Sequence, residues 1–277
     1  MRPIVQTAID QLVDEDVRER VHVMFSRANA LGYDPWGGSR LATERTLALV
    51  KWLYRHYFRV ETEGAAHVPD GRCLLVGHHS AQLAYDGILV SAAVALDRDP
   101  PRHVHAMIEQ FFGRLPFVNV LMQRLGQQIG VPAICERLLE ADEAVLVFPE
   151  GHRGGGRVFK DRYKILGFSQ GFMRMALRAG APIVPFGFVG GEEMCMSFSR
   201  MEPLARLMGT PYWPLTPTVV PVPLPAKCHL TFGEPLHFEG RGDEPDGVIQ
   251  PMIERVEGEV RRLIDRGLDE RRGIFFG

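Results

Sequence analysis

The chain carries two kinds of hydrophobic pattern. Through its first fifth, apolar positions recur at helical spacing. Ile9, Leu12, Val17, Val21 and Phe25 follow one another at steps of three to five residues within a charge-rich stretch, which fits one or two short helices. The turn-forming run Asp34-Pro35-Trp36-Gly37-Gly38-Ser39 interrupts them. A stronger helix is predicted from about Leu41 to Phe58. Its apolar stripe is Leu47, Val50, Tyr54, Tyr57 and Phe58, with Lys51, Arg55 and Arg59 spaced by four on another face. Such a helix either packs on the domain with a solvated basic edge or, with Trp52 and its tyrosines, rests on an anionic membrane.

From the turn Val68-Pro69-Asp70-Gly71 onward the pattern changes to short, nearly continuous apolar runs separated by helical segments. Strands are expected at Cys73–Val76, Val104–Ile108, Ala144–Phe148, Ile183–Val189 and His229–Phe232. Helices are expected at Asp86–Leu96, Val118–Leu125, Ala133–Ala141, Gln170–Ala179, Met194–Met208 and Val248–Leu268. Apolar strands alternating with helices imply an α/β fold, with a mainly parallel or mixed central sheet covered by helices. An N-terminal helical segment, residues 1–60, precedes the main domain, residues 61–277. Residues 211–225 hold six prolines among apolar side chains. They read as an ordered connector that covers a core, walls an acyl channel or touches lipid.

Composition narrows the class. Apolar content of 45%, charged content of 24% and a formal charge of -2 describe an ordinary globular enzyme and argue against bulk nucleic-acid binding. The four cysteines form no CxxC or Cys/His cluster, so buried free thiols are expected. No apolar stretch follows a basic start and no run approaches the ~18 apolar residues of a spanning helix. A cytoplasmic protein without signal peptide or transmembrane helix is therefore expected.

Two stretches carry chemistry. Val76-Gly77-His78-His79-Ser80-Ala81-Gln82-Leu83-Ala84-Tyr85-Asp86-Gly87 reads as strand, polar loop and helix, with His79 and Asp86 seven positions apart across the loop. A histidine beside an aspartate at a strand end is suited to general base work; Asp86 also suits a helix N-cap. Two adjacent histidines do not readily share an ion and no third ligand is near, so no metal is expected. In Phe148-Pro149-Glu150-Gly151-His152-Arg153, a strand ends in proline, a carboxylate and a glycine able to take positive φ. From Arg153 to Lys164 there are five Lys or Arg and one acid. Arg153 beside the glycine-rich turn suits a bidentate phosphate contact; the alternative is a solvated basic loop. Gly167-Phe168-Ser169-Gln170-Gly171 matches GxSxG, the nucleophile elbow of a serine esterase or lipase, with Ser169 as nucleophile.

His79-Ser80-Ala81-Gln82-Leu83-Ala84-Tyr85-Asp86 resembles the His–Asp motif of the glycerolipid and lysophospholipid acyltransferase family, in a bacterial branch with six residues between His and Asp. His78 stands where that branch has Asn, and Ala84 where it has Pro. Phe148-Pro149-Glu150-Gly151 resembles the family's FPEG block, and Ala181-Pro182-Ile183-Val184-Pro185 its proline-flanked apolar strand; the similarity runs from about Arg59 to Phe238. The resemblance implies transfer of a fatty acyl group from acyl-CoA or acyl-carrier protein to a hydroxyl of a glycerolipid-type acceptor, such as a lysophospholipid or glycerol phosphate. His79 is then the general base and Asp86 its orienting acid, while Glu150, Gly151, Arg153 and Ser80 bind substrate, Glu150 by positioning the acceptor or shaping the turn and Arg153 by holding acceptor or donor phosphate. The thioester is a co-substrate and no cofactor is implied. The expected place is the inner face of the membrane, peripherally bound. A serine esterase and a lipid-binding member of the fold without turnover are the alternatives.

Overall fold

The computed structural model describes residues 12–80, 85–110, 113, 117–151, 154, 157–201, 214–216 and 222–275, without the side chains of Arg200 and Pro214. Seven strands form one sheet in the order β1 (Glu61–Glu63), β9 (His229–Phe232), β6 (Ile183–Val189), β2 (Cys73–Gly77), β5 (Ala144–Val147), β3 (Val104–Ile108) and β4 (Gln128–Ile129). All neighbours are parallel except β6 and β9, so the sheet is mixed and mainly parallel. The helices are α1 (Glu15–Met24), α2 (Arg40–Trp52), α3 (Tyr85–Leu96), α4 (Val118–Arg124), α5 (Pro132–Glu140), α6 (Gly171–Ala179), α7 (Gly191–Met194) and α8 (Asp246–Glu270).

Alternation along the strands divides the core in two. Cys73 and Leu75 of β2 face a cluster built with α1, α2 and α3, through Val17, Val21, Leu47, Tyr54, Leu89 and Ala93. Leu74 and Val76 face the other side, against Leu138 of α5, Met173 of α6 and Ile253 and Val260 of α8. With both faces covered, β2, β5 and β6 are buried throughout, hence their unbroken apolar sequences.

Local signals set the helix boundaries. The Asp14 side chain caps α1 by accepting from the Val17 N–H at 2.9 Å, and Ser39 caps α2 through the Ala42 N–H. Pro132 opens α5, and Gly180 closes α6 in the left-handed conformation. A π-helical turn, Leu53–Tyr57, continues α2, so the helix expected to Phe58 changes winding before its end. Of the basic stripe on this helix, Lys51 pairs with Asp14 and Asp16, Arg55 with Asp97, and Arg59 donates to the Tyr57, Pro225 and Phe275 carbonyls. Its charge is spent inside the molecule, while Leu41, Leu49 and Trp52 stay exposed.

The helix expected at Met194–Met208 does not form as such. The four-residue α7 ends at Met194, and Ser199–Arg200 (β7) pairs antiparallel with Pro214–Leu215 (β8). Ser197 donates its hydroxyl to the Ser199 carbonyl, a short-range bond that competes with helix. Residues 202–208 lie outside the described residues, as do 211–213 and 217–221 of the proline-rich connector. All four cysteines are buried and free.

Candidate active site

The strands β2 and β5 are parallel neighbours, so their carboxyl ends place the two candidate motifs side by side. Beyond Gly77 the two histidines meet different partners, His78 near Glu192 and Tyr163 and His79 against Asp86 and Phe148. His78 is fully buried, whereas the His79 side chain keeps 13% of its surface open.

His79 is held on every side. Its Nδ1 lies 2.7 Å from Asp86 Oδ2, and its ring stacks on Phe148 with centroids 4.5 Å apart at 22°. Asp86 is fully buried in the first turn of α3, where the helix dipole favours negative charge. Its Oδ2 also accepts from the Ser80 N–H at 2.7 Å, and its Oδ1 from the Gly87 N–H at 2.8 Å. A carboxylate oxygen in this position accepts from His79 and so commits its proton to Nδ1. Nε2 is left as the acceptor. Burial works against the imidazolium of His79, but the charge and hydrogen bond of Asp86 outweigh it, with smaller help from Glu150 and Glu109, and hold its pKa above the ordinary value.

The backbone of His79 is clamped as tightly as its ring. Its N–H donates to Glu150 Oε2 at 3.1 Å, and its carbonyl accepts from Arg157 Nη1 at 3.0 Å. Arg157 Nη2 reaches both Glu150 oxygens, at 2.9 and 3.1 Å, and the Leu166 N–H donates to Glu150 Oε1 at 2.6 Å. Both oxygens of Glu150 are thus engaged by protein donors, and the side chain ties the loop after β5 to the backbone of His79. Gly151 has φ +56°, the positive value expected of the sharp turn, and lines the adjoining cavity. Ser80 is buried and directs its N–H, and more distantly its hydroxyl at 3.5 Å, to Asp86. It therefore fixes the acid partner. A Cβ at Gly191 would stand 2.3 Å from the Ser80 hydroxyl, so only glycine lets α7 approach this closely. Arg153 lies outside the described residues, as do Ala81–Ala84 of the loop.

Sequence reasoning missed Arg157. It sat unremarked in the basic loop, yet its side chain is 3% exposed, and besides Glu150 it reaches Glu192 at 3.3 Å. Its neighbours Lys160, Arg162 and Lys164 are exposed. A carboxylate buried at a strand end demands a cation, and that demand was the available signal. The GxSxG reading fails on geometry. Tyr163–Leu166 is not a strand, Ser169 is exposed, and His229, one of its two downstream histidines, pairs with Glu61.

A cavity of about 350 Å³ opens beside His79. Gly87, Ile88, Ser91, Ala92 and Ala95, one face of α3, form its length. Thr43, Leu47 and Val50 of α2 and Leu121, Met122 and Leu125 flank it. It runs from His79, past the carboxyl end of β2, to His103, just before the amino end of β3. There His103 and His105 stack at 4.7 Å and 6°, with ring nitrogens on the Leu125 and Gly126 carbonyls at 3.1 and 2.7 Å. Burial, then the nearby His105, push the pKa of His103 down to about 4.

Comparison with known proteins gives a consistent picture. A family model described as Acyltransferase matches residues 59–189. An uncharacterised protein of Mycobacterium tuberculosis is 33% identical over 273 residues, covering 94% of this chain and 75% of that protein. A chicken (Gallus gallus) protein named "DGAT1/2-independent enzyme synthesizing storage lipids" is 24% identical, over 89% of this chain and 71% of its own. Among solved structures, the 1-acyl-sn-glycerophosphate acyltransferase PlsC of Thermotoga maritima superposes with a TM-score of 0.52 at 18% identity. The match covers 99% of this chain and 86% of that one and shows a shared fold.

Proposed function

Since the chain belongs to the acyltransferase family, we propose that it moves a fatty acyl group from an acyl thioester, acyl-CoA or acyl-carrier protein, to a hydroxyl of a glycerolipid-type acceptor. The observation that carries the reading is the His79–Asp86 contact of 2.7 Å at the mouth of a mostly apolar cavity. Nε2 of His79 takes the acceptor's hydroxyl proton as the alkoxide oxygen bonds to the thioester carbonyl carbon. Asp86 stabilises the imidazolium that results. Collapse of the tetrahedral intermediate breaks the C–S bond, and the proton on His79 leaves with the thiolate as free thiol. The acceptor itself is the nucleophile, so no serine or cysteine is required. The face of α3 from Gly87 to Ala95 spans ~12 Å of helix and offers a bed for the acyl chain.

The named relatives support an acceptor from glycerolipid metabolism. They are a lysophosphatidate-type acyltransferase sharing the fold and an enzyme of storage-lipid synthesis. Among the described residues no helix is long and apolar enough to cross a membrane. The exposed Leu41, Leu49 and Trp52 of α2 support contact with a lipid surface. The test is thiol release by purified protein from acyl-CoA and acyl-carrier protein, across lysophosphatidate, glycerol phosphate, monoacylglycerol and glycolipid acceptors. Acceptor-dependent release that disappears in His79→Ala is the expected result. Lipid binding without release from either donor would overturn it and leave a non-catalytic lipid-binding protein.

A further inference from the structure

The loop after β2 carries two histidines, and acyl transfer as proposed uses one. The other, His78, is fully buried, and neither of its ring nitrogens has a hydrogen-bond partner among the described residues. Its Nε2 lies 3.5 Å from Glu192 Oε1, and Glu192 Oε2 is itself buried without a hydrogen-bond partner. A buried imidazole with no hydrogen bond and a buried carboxylate with one bare oxygen are both costly, and they lie within reach of each other. The charged groups around them are unevenly matched. Glu192 and Glu193 come from α7 and Glu150 from the β5 loop, against Arg157 and, after α8, Arg271, which pairs with Glu193 at 2.9 Å. Tyr163 faces the same pocket, its ring 6.3 Å from that of His78 and its hydroxyl on Glu193. His79 has its own carboxylate partner, Asp86 at 2.7 Å.

We propose that His78, protonated on Nε2, donates to Glu192 and serves as a positioning residue for His79. The connection is short and built from contacts already described. Glu192 Oε1 receives the Tyr163 N–H at 3.1 Å and Arg157 Nη1 at 3.3 Å, and that same Nη1 donates to the His79 carbonyl. Arg157 Nη2 holds Glu150, which holds the His79 N–H. A donor on Glu192 from His78 shares the carboxylate's charge and keeps Arg157 divided between Glu192 and His79. Without it, Glu192 draws Arg157 to itself, the His79 backbone loses one clamp, and the imidazole drifts from Asp86. Two histidine–carboxylate pairs therefore stand back to back on adjacent residues. One moves a proton and the other keeps the first in place.

The part of this inference that concerns catalysis rests on the acyl-transfer reading, and the first measurement does not. Long-range ¹H–¹⁵N spectra of the ¹⁵N-labelled wild-type protein report which ring nitrogen of each histidine carries hydrogen. A proton on Nε2 of His78 is expected; His78 protonated only on Nδ1 overturns the pair. In thiol release, His78→Leu is expected to lower kcat about tenfold with KM changed by less than about twofold, because geometry is lost and not ground-state binding. Its acid limb moves to lower pH, since His79 loses part of its hold on Asp86. His78→Gln, which keeps an N–H for Glu192, is expected to recover most of the activity. Equal losses in both variants, or a lower melting temperature with an unmoved acid limb, overturn the positioning role. Absence of thiol release in the wild type overturns the acyl-transfer reading instead, and the ring spectrum still decides the pair.

Discussion

Two histidines stand at opposite ends of one cavity, and their fates differ. His79, past the carboxyl end of β2, faces a buried carboxylate that lifts its pKa. His103, before the amino end of β3, faces another imidazole, the Leu125 carbonyl and, at a more distant 4.0 Å, the Asp34 carboxylate, and burial with the neighbouring imidazole pushes it down to about 4. Both rings line the same space. The side chain is the same, so the difference lies in its partner. A carboxylate within hydrogen-bond reach outweighs desolvation, whereas a second imidazole adds to it. In the proposed reaction one end of the cavity takes a proton, and the other remains neutral beside the acyl chain.

The comparison breaks first at Asp86. Asp86→Asn removes the carboxylate within hydrogen-bond reach that His79 has and His103 lacks. It is expected to lower kcat by about 10²–10⁴, as is His79→Ala. Because Asp86 raises the His79 pKa and the base must be unprotonated, wild-type activity rises with pH through a midpoint above about 6.5. In Asp86→Asn any residual activity has its acid limb at lower pH, and a pH–rate profile of thiol release reads both effects.

Arg157→Met attacks the support of the same end. It leaves Glu150 and Glu192 buried without their shared cation and is expected to cost about 3–5 kcal/mol in urea unfolding. No surface cation of the loop, such as Lys160, should approach that figure. Filling the middle of the cavity with Ser91→Phe separates the two ends. It is expected to reduce kcat/KM for long acyl chains by roughly tenfold or more and to spare short ones, as seen in a series of acyl-CoA lengths.

The smallest effect is expected at the far end. The folded-state pKa of His103 is depressed, so the unfolded chain binds more protons than the folded one between pH about 6.5 and about 4. His103 therefore contributes stability above that window, which is lost as pH falls through it. The melting temperature of His103→Gln should decline less steeply than that of the wild type across this interval, with unchanged turnover of short acyl chains.

Most of the sheet was legible because buried strands leave little choice of residue. The runs at β3, β6 and β9 give their boundaries directly, and β2 and β5 differ from expectation by one residue each. The edge strands β1 and β4, three and two residues long, are too short to show alternation. His79, Asp86 and the turn at Gly151 were legible because their spacing within one loop is local. Arg157, Glu192 and the contacts of Glu150 and Ser80 were not. Their meaning lies in contacts between segments far apart in sequence, and a lone arginine in a basic loop looks the same whether it is buried or solvated.

The C-terminal helix gives the clamp on His79 a dimension in time. Arg271, just past α8, holds Glu193, next in sequence to the Glu192 that steadies Arg157. The network behind a histidine in the first third of the chain is therefore closed by a residue from the last tenth, and only once α8 has docked on β6. Contacts so distant in sequence form late. In refolding from denaturant, recovery of thiol release should trail the collapse reported by tryptophan fluorescence. A chain still emerging from the ribosome would own both His79 and Asp86 well before the clamp that holds them was complete.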